Sequence, residues 1–171
     1  MSSLKRISEI TAYQWGMFTT AQAELQDVSR NDISRLAAHG YAERLVHGVY
    51  RITSVPSDEF EELKAIWLSF IPAKLAYERM KSLHDDYIVS GVTAASLHQM
   101  ADYRSDQYVF THPGRKQSRN RIIRFMNRSI DELAVVIVNG LPVTSKEQTY
   151  KDLIAANEDI SSVTMIGPRE P

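Results

Sequence analysis

Residues 29–52 constrain this chain more than any other stretch. Ser29-Arg30-Asn31-Asp32 opens a helix: the Ser29 hydroxyl can accept from the third helical amide while Asp32 reaches back to the cap. Ile33, Leu36 and Ala37 supply a buried stripe, and Gly40 stops the helix after His39. Two extended runs follow, 41–46 and 49–52, joined by His47-Gly48, a two-residue hairpin signal. Upstream, Leu4, Ile7, Ile10 and Trp15 predict a helix over 4–15 ended by Gly16. Thr19 or Thr20 caps a short helix through Gln26, and Asp27-Val28 makes a tight turn. Three helices and then a hairpin is the order of a winged helix-turn-helix.

That order carries a binding expectation. Helix-turn-helix proteins place the second helix of the motif in the major groove, here residues 29–39. Its groove-facing set is Arg30, Asn31, Ser34 and Arg35; Arg suits guanine and Asn adenine, each through a bidentate pair. Arg44, His47 and Arg51 on the wing, with Thr19 and Thr20 at the preceding helix start, are expected at the DNA backbone. The same fold can also serve protein contacts.

The chain has 171 residues, enough for one compact domain or two small ones, and a formal net charge of −1. The mean hides a distribution. By segment the charge is +1 over 1–52, −4 over 53–103, +6 over 104–128 and −4 over 129–171. A +6 block inside a neutral chain is a candidate anion-binding face. Within it, Arg115 and Lys116 at a basic turn, and Arg119 and Arg121 two apart on one strand face, are the expected phosphate contacts. Arg124 has the opposite parity and is left for an internal acid. The absence of cysteine excludes disulfides, thiolate zinc sites and a cysteine nucleophile. No apolar run suits a bilayer and no signal peptide opens the chain, so a cytoplasmic protein is expected.

Residues 53–57 form a polar break and the expected boundary between a 1–53 winged domain and a 57–171 domain. Ser57 or Asp58 caps a helix through Phe70 whose Phe60, Leu63, Ile66, Trp67 and Phe70 belong to a core. Pro72 starts a further helix over 72–83. Strands are expected at 87–90, 107–111 and 121–126, with a helix at 93–100. The apolar run 133–138 reads as the central strand of the sheet, turned by Asn139-Gly140 into 141–143. Ser145 opens a helix through about Ala156, and 160–166 is a last strand or a frayed end. The fold class is therefore α+β, a winged helix followed by a small domain with a mixed or antiparallel sheet.

Catalytic patterns are missing from the sequence. The glycines are scattered, no two histidines share a helical metal spacing, and His84-Asp85-Asp86 reads as a polar loop. His98 is expected half-buried and satisfied. No strand-borne acid pair precedes an acid-x-Lys, which argues against a nuclease. The chain is expected to be no enzyme and to need no cofactor or metal.

Three segments, in order, resemble the AbiEi-type antitoxins of bacterial type IV toxin–antitoxin systems, which are linked to abortive phage infection. They are residues 16–51, with Gly48-Val49-Tyr50-Arg51; residues 88–98, with Ser90-Gly91-Val92-Thr93; and residues 140–153, with Leu141-Pro142-Val143-Thr144-Ser145. The resemblance covers about 4–156. It implies a winged helix that binds inverted repeats at its own promoter and represses it. It also implies a second domain giving antitoxicity and some DNA contact, and a nucleotidyltransferase-like toxin countered without a stable complex. Double-stranded DNA is the expected partner, bound by a monomer with cooperativity on DNA, so that the protein is nucleoid-associated when bound. Asp27 stands where relatives often have Gly. The chain ends at Pro171, where many relatives continue, which leaves a short member, a truncated chain or a stand-alone regulator as readings. A direct, protein-binding antitoxin is the alternative function.

Overall fold

A computed structural model describes residues 2–165. The chain divides into two compact units, residues 1–81 and 82–171. Among the described residues it is α+β, with two sheets.

In the first unit α1 (Ser3–Thr11), α2 (Thr20–Leu25) and α3 (Arg30–Ala38) surround a core of Ile7, Ile10, Phe18, Ala23, Val28 and Ile33. The capping predicted at Ser29 is present: its hydroxyl accepts from the Asp32 amide at 3.1 Å and Asp32 accepts from the Ser29 amide at 3.0 Å. Thr19 and Gln22 form the same reciprocal box on α2. Asp27, at φ 56°, adopts the left-handed turn between them, which Asp tolerates. A three-stranded antiparallel sheet follows the order β1-β3-β2, with β1 Met17–Thr19, β2 Ala42–Val46 and β3 Val49–Ile52. β1 pairs Phe18 with Tyr50, whose rings stack at 5.6 Å.

α1 stops at Thr11, short of the expected 15. The chain turns through Trp15 and Gly16, both at positive φ, because Gln14 is drawn inward. The Gln14 side-chain amide donates to Gln22 Oε1 at 2.6 Å and to the Met17 carbonyl at 3.1 Å, and its oxygen accepts from the Ala76 amide at 3.0 Å. Gly16 has no room for a side chain, since a Cβ there would lie 2.6 Å from Val55 Cβ.

Two helices beyond the polar break belong to this unit. α4 (Glu61–Phe70) buries Leu63, Ile66 and Trp67. α5 covers only Ala76–Met80, not 72–83. The Pro72 carbonyl accepts from Thr19 Oγ1 at 2.5 Å and the Lys74 carbonyl from Gln22 Nε2 at 2.9 Å, so both are spent outside any helix. The units therefore part at Lys81/Ser82, not in the 53–57 break.

The second unit is a five-stranded mixed sheet in the order β6-β5-β4-β8-β7. Its strands are β4 Ile88–Val89, β5 Tyr108–His112, β6 Ile123–Asn127, β7 Val135–Val138 and β8 Leu141–Thr144. α6 (Gly91–Leu97) and α7 (Lys146–Ala155) pack over it through Val92, Ala95, Val109 and Leu153. The expected half-buried His98 places Nε2 2.7 Å from the Thr144 carbonyl. Three expectations change. β5 and β6 are parallel, so 113–122 is a crossover and not a hairpin turn. The apolar run 133–138 yields β7 at the sheet edge, not its centre, because the Asn139-Gly140 turn folds the fully buried β8 between it and β4. Asn139 and Gly140 both have positive φ, as the type I′ turn of a two-residue hairpin demands. Finally, of the two readings of 160–166 the strand is dropped, since residues 160–165 form none; Ile166 lies outside the described residues.

Gln22→Ala should remove the nearer of the two acceptors of the buried Gln14 amide, leaving only the Met17 carbonyl, and destabilise the protein by about 1–3 kcal/mol. Urea denaturation reads this as a lower midpoint. An unchanged midpoint would show that the amide pair does not hold the motif.

Candidate nucleic-acid interface

Five residues of α3 form its exposed arc, in angular order Arg30, Ser34, Ala38, Asn31 and Arg35. The arc has two flanks. On one, Arg30 and Ser34 line an open cleft of about 450 Å³ together with Thr20, Glu24, Arg44, His47 and Gly48. On the other, Arg35 lies beside Asp32, His39 and Tyr41 and the start of α1 at Ser2 and Ser3. Asn31 is exposed between them. The four side chains expected at bases thus share one arc but not one cleft.

Each α3 arginine already has an acidic neighbour. Arg30 Nε lies 3.0 Å from Glu24 Oε1, and Arg35 pairs with Asp32 one turn back. Both arginines are exposed, so releasing one to another anion costs about 0–1 kcal/mol. The Asp32 carboxyl is held below its ordinary value, mainly by the Ser29 hydroxyl, then by the Ser29 amide and Arg35.

The wing is tied to the motif at its tip, where the Thr20 amide donates to the Gly48 carbonyl at 2.9 Å. That bond fixes the width of the cleft. An irregularity between Arg44 and Val46 breaks the β2–β3 register. Arg44 Nη2 donates to His47 Nδ1 at 2.8 Å, which leaves the His47 Nε2–H free to donate outward.

Two expected contacts are not at this surface. Thr19 is fully buried and spends its hydroxyl on the Gln22 amide and the Pro72 carbonyl. Arg51 is only 8% exposed. Its guanidinium holds Glu43 at 2.9 Å and Glu61 at 2.5 Å and donates to the Val55 carbonyl. It staples β3 to the first turn of α4. Conversely, Ser2, Ser3, His39 and Tyr41 were not singled out in the sequence; only the folded α1–α3 flank brings them together.

In the second unit Arg115, Lys116, Arg119 and Arg121 are all exposed, as are Arg104 and Arg124. None of the six makes an ion pair with a described residue. Arg119 and Arg121 precede β6, so they lie on the crossover and not on a shared strand face. Arg124 is on β6 and exposed, and it pairs with no described acid. Arg128 alone of the block is neutralised, by both oxygens of the buried Asp152 at 2.8 and 3.0 Å. Among the described residues no three His, Asp or Glu side chains are grouped to hold a metal, and no helix is long and apolar enough to cross a membrane.

Helix, turn, exposed second helix and pinned hairpin define a winged helix-turn-helix module. Residues 5–53 match the family described as "Transcriptional regulator, AbiEi antitoxin". No curated protein matches the chain significantly. Among solved structures it is similar to the RV2827C protein from Mycobacterium tuberculosis, at 14% identity and a TM-score of 0.54. That match covers 90% of this chain and 60% of the other, so this chain spans about three-fifths of that protein's length. At this identity the likeness is one of fold.

Arg51→Ala should strand Glu61 and cost about 3 kcal/mol of stability, whereas Arg44→Ala should change it by no more than about 0.5 kcal/mol. Thermal melting separates them, and equal losses would contradict the assignment. The lowered Asp32 value gives a stabilisation that is complete above 3.8 and lost as pH falls through the folded value. Between about pH 5 and pH 2 the melting temperature of Asp32→Asn should therefore fall less than that of the natural sequence. Parallel curves would remove Asp32 from the pH response.

Proposed function

We propose that the protein is a sequence-specific double-stranded DNA-binding regulator that represses its own toxin–antitoxin operon. As the antitoxin of a type IV system, it would counter a nucleotidyltransferase-like toxin. The observation that carries the reading is the exposed arc of α3 with a cation-bearing flank on each side. A major groove is about 12 Å wide and admits one helix, and a helix seated there presents its two flanks to the two backbones.

Arg30, Asn31, Ser34 and Arg35 then read base edges. Thr20, Arg44 and His47 hold phosphates on the wing side, and His39 and Tyr41 do so on the α1 side. Arg115, Lys116, Arg119 and Arg121 add non-specific affinity from the second unit; their lack of ion pairs to described residues leaves them available for phosphate. The match of residues 5–53 to an antitoxin regulator family supports the regulatory part of the reading. The toxin and the operon follow from the wider resemblance.

Gel-shift titration on the DNA upstream of the gene, at several salt concentrations, tests it. Arg30→Ala should cost about 1–3 kcal/mol on the operator and narrow the gap to unrelated DNA. Lys116→Ala should weaken all DNA alike and reduce the salt slope by about 0.9. Unchanged affinity in both variants would sink the model.

A further inference from the structure

β7 is an edge strand with nothing on it to keep another strand away. Among the described residues it pairs only with β8, and its residues are Val135, Val136, Ile137 and Val138. Val136 is 40% exposed and Ile137 is 55% exposed, on opposite faces of the strand. Natural edges are blunted by charge, proline or a bulge. The opposite edge of this sheet follows that rule, since β6 carries Arg124 between Arg121 and Arg128. β7 carries no charge, no proline and no break in register.

The backbone groups on the open side can be named. Val138 and Leu141 flank a two-residue turn, so they form a hydrogen-bonded pair, and Val136 repeats the pattern with Val143. The Ala134 carbonyl continues it, accepting from the Ser145 amide at 2.8 Å. Even-numbered residues therefore point their amides and carbonyls into the sheet. Val135 and Ile137 point theirs outward, where no described strand lies.

We propose that β7 pairs with β7 of a second copy of this chain, antiparallel across a two-fold axis at Val136. In that register Val135 of each copy faces Ile137 of the other, and the outward amides and carbonyls of both residues are all used. Charge permits this occupant and favours this direction. Asp131 and Glu132 precede β7 and no acid follows it before Glu147. Antiparallel pairing sets Glu132 opposite Gly140 of the other copy, whereas parallel pairing would stack acid on acid. The contact closes on itself, because each copy has one such edge.

Four-residue strands bury less than the roughly 1,000 Å² of a stable interface. The dimer is therefore weak in free solution and strengthens when two copies sit on one duplex, where the effective concentration of the edge rises. The pairing itself does not rest on the DNA-binding reading.

Sedimentation equilibrium of the whole chain without DNA, from about 10 µM to about 1 mM, is the test. The average mass should climb from monomer towards dimer as concentration rises. Ile137→Lys, and independently Val135→Lys, should stay monomeric while keeping the circular dichroism and melting of the natural sequence; Ile137→Val should still associate. A natural sequence that stays monomeric at about 1 mM overturns the proposal. So does association that both lysine variants retain. Should the chain stay monomeric while Ile137→Lys abolishes capture of the purified toxin, the edge takes a toxin strand and self-pairing is wrong.

Discussion

The pair of buried amides, Gln14 and Gln22, is the contact on which the first unit depends. Their side chains meet at 2.6 Å and reach four backbone positions: Met17, Thr19, Lys74 and Ala76. Polar groups at such depth must be satisfied or they destabilise. Because they are satisfied, the end of α1, the start of α2 and the approach to α5 are set at once. Thr20 then holds the wing tip through Gly48, so the cleft beside α3 inherits its shape from the same network.

Cations divide between two tasks, and burial decides which. Arg51 and Arg128 meet acids within their own units and fasten strand to helix. Arg79, 1% exposed, places its guanidinium 3.4 Å from the centre of the Trp67 ring and donates to the Trp67 carbonyl at 2.6 Å. Arg30, Arg44 and the block from Arg104 to Arg124 stay at the surface. A net charge of −1 is thus compatible with local cationic surfaces, since the neutralising acids lie elsewhere along the chain. Arg44 and Arg51 show the difficulty of reading this from residue types. They sit on adjacent strands of one hairpin with the same charge. Only the arrival of Glu61 at the start of α4 makes one of them structural.

The second unit shows a similar limit. Runs of β-branched residues signal strands, and β7 formed where such a run stands. Whether a strand is central or at an edge depends on which segment takes its other side, a property of topology. The tight turn gave that place to β8, and the apolar residues expected inside are half exposed. The parallel pairing of β5 and β6 likewise turned an expected basic turn into a crossover, and moved Arg119 and Arg121 off the strand.

By itself the sequence determined what short-range chemistry controls. The Ser29–Asp32 box, the hairpins at His47-Gly48 and Asn139-Gly140, the left-handed turn at Asp27 and the cap at Ser145 all rest on contacts a few residues apart. So does the exposed arc of α3, which helical periodicity fixes. Tertiary structure decided the rest: that Thr19 and Arg51 are buried, that α4 and α5 complete the winged unit, that Ser2, His39 and Tyr41 join the far flank of α3, and that β7 is bare. Each of those outcomes is settled by a partner distant in sequence, whose approach no local pattern encodes.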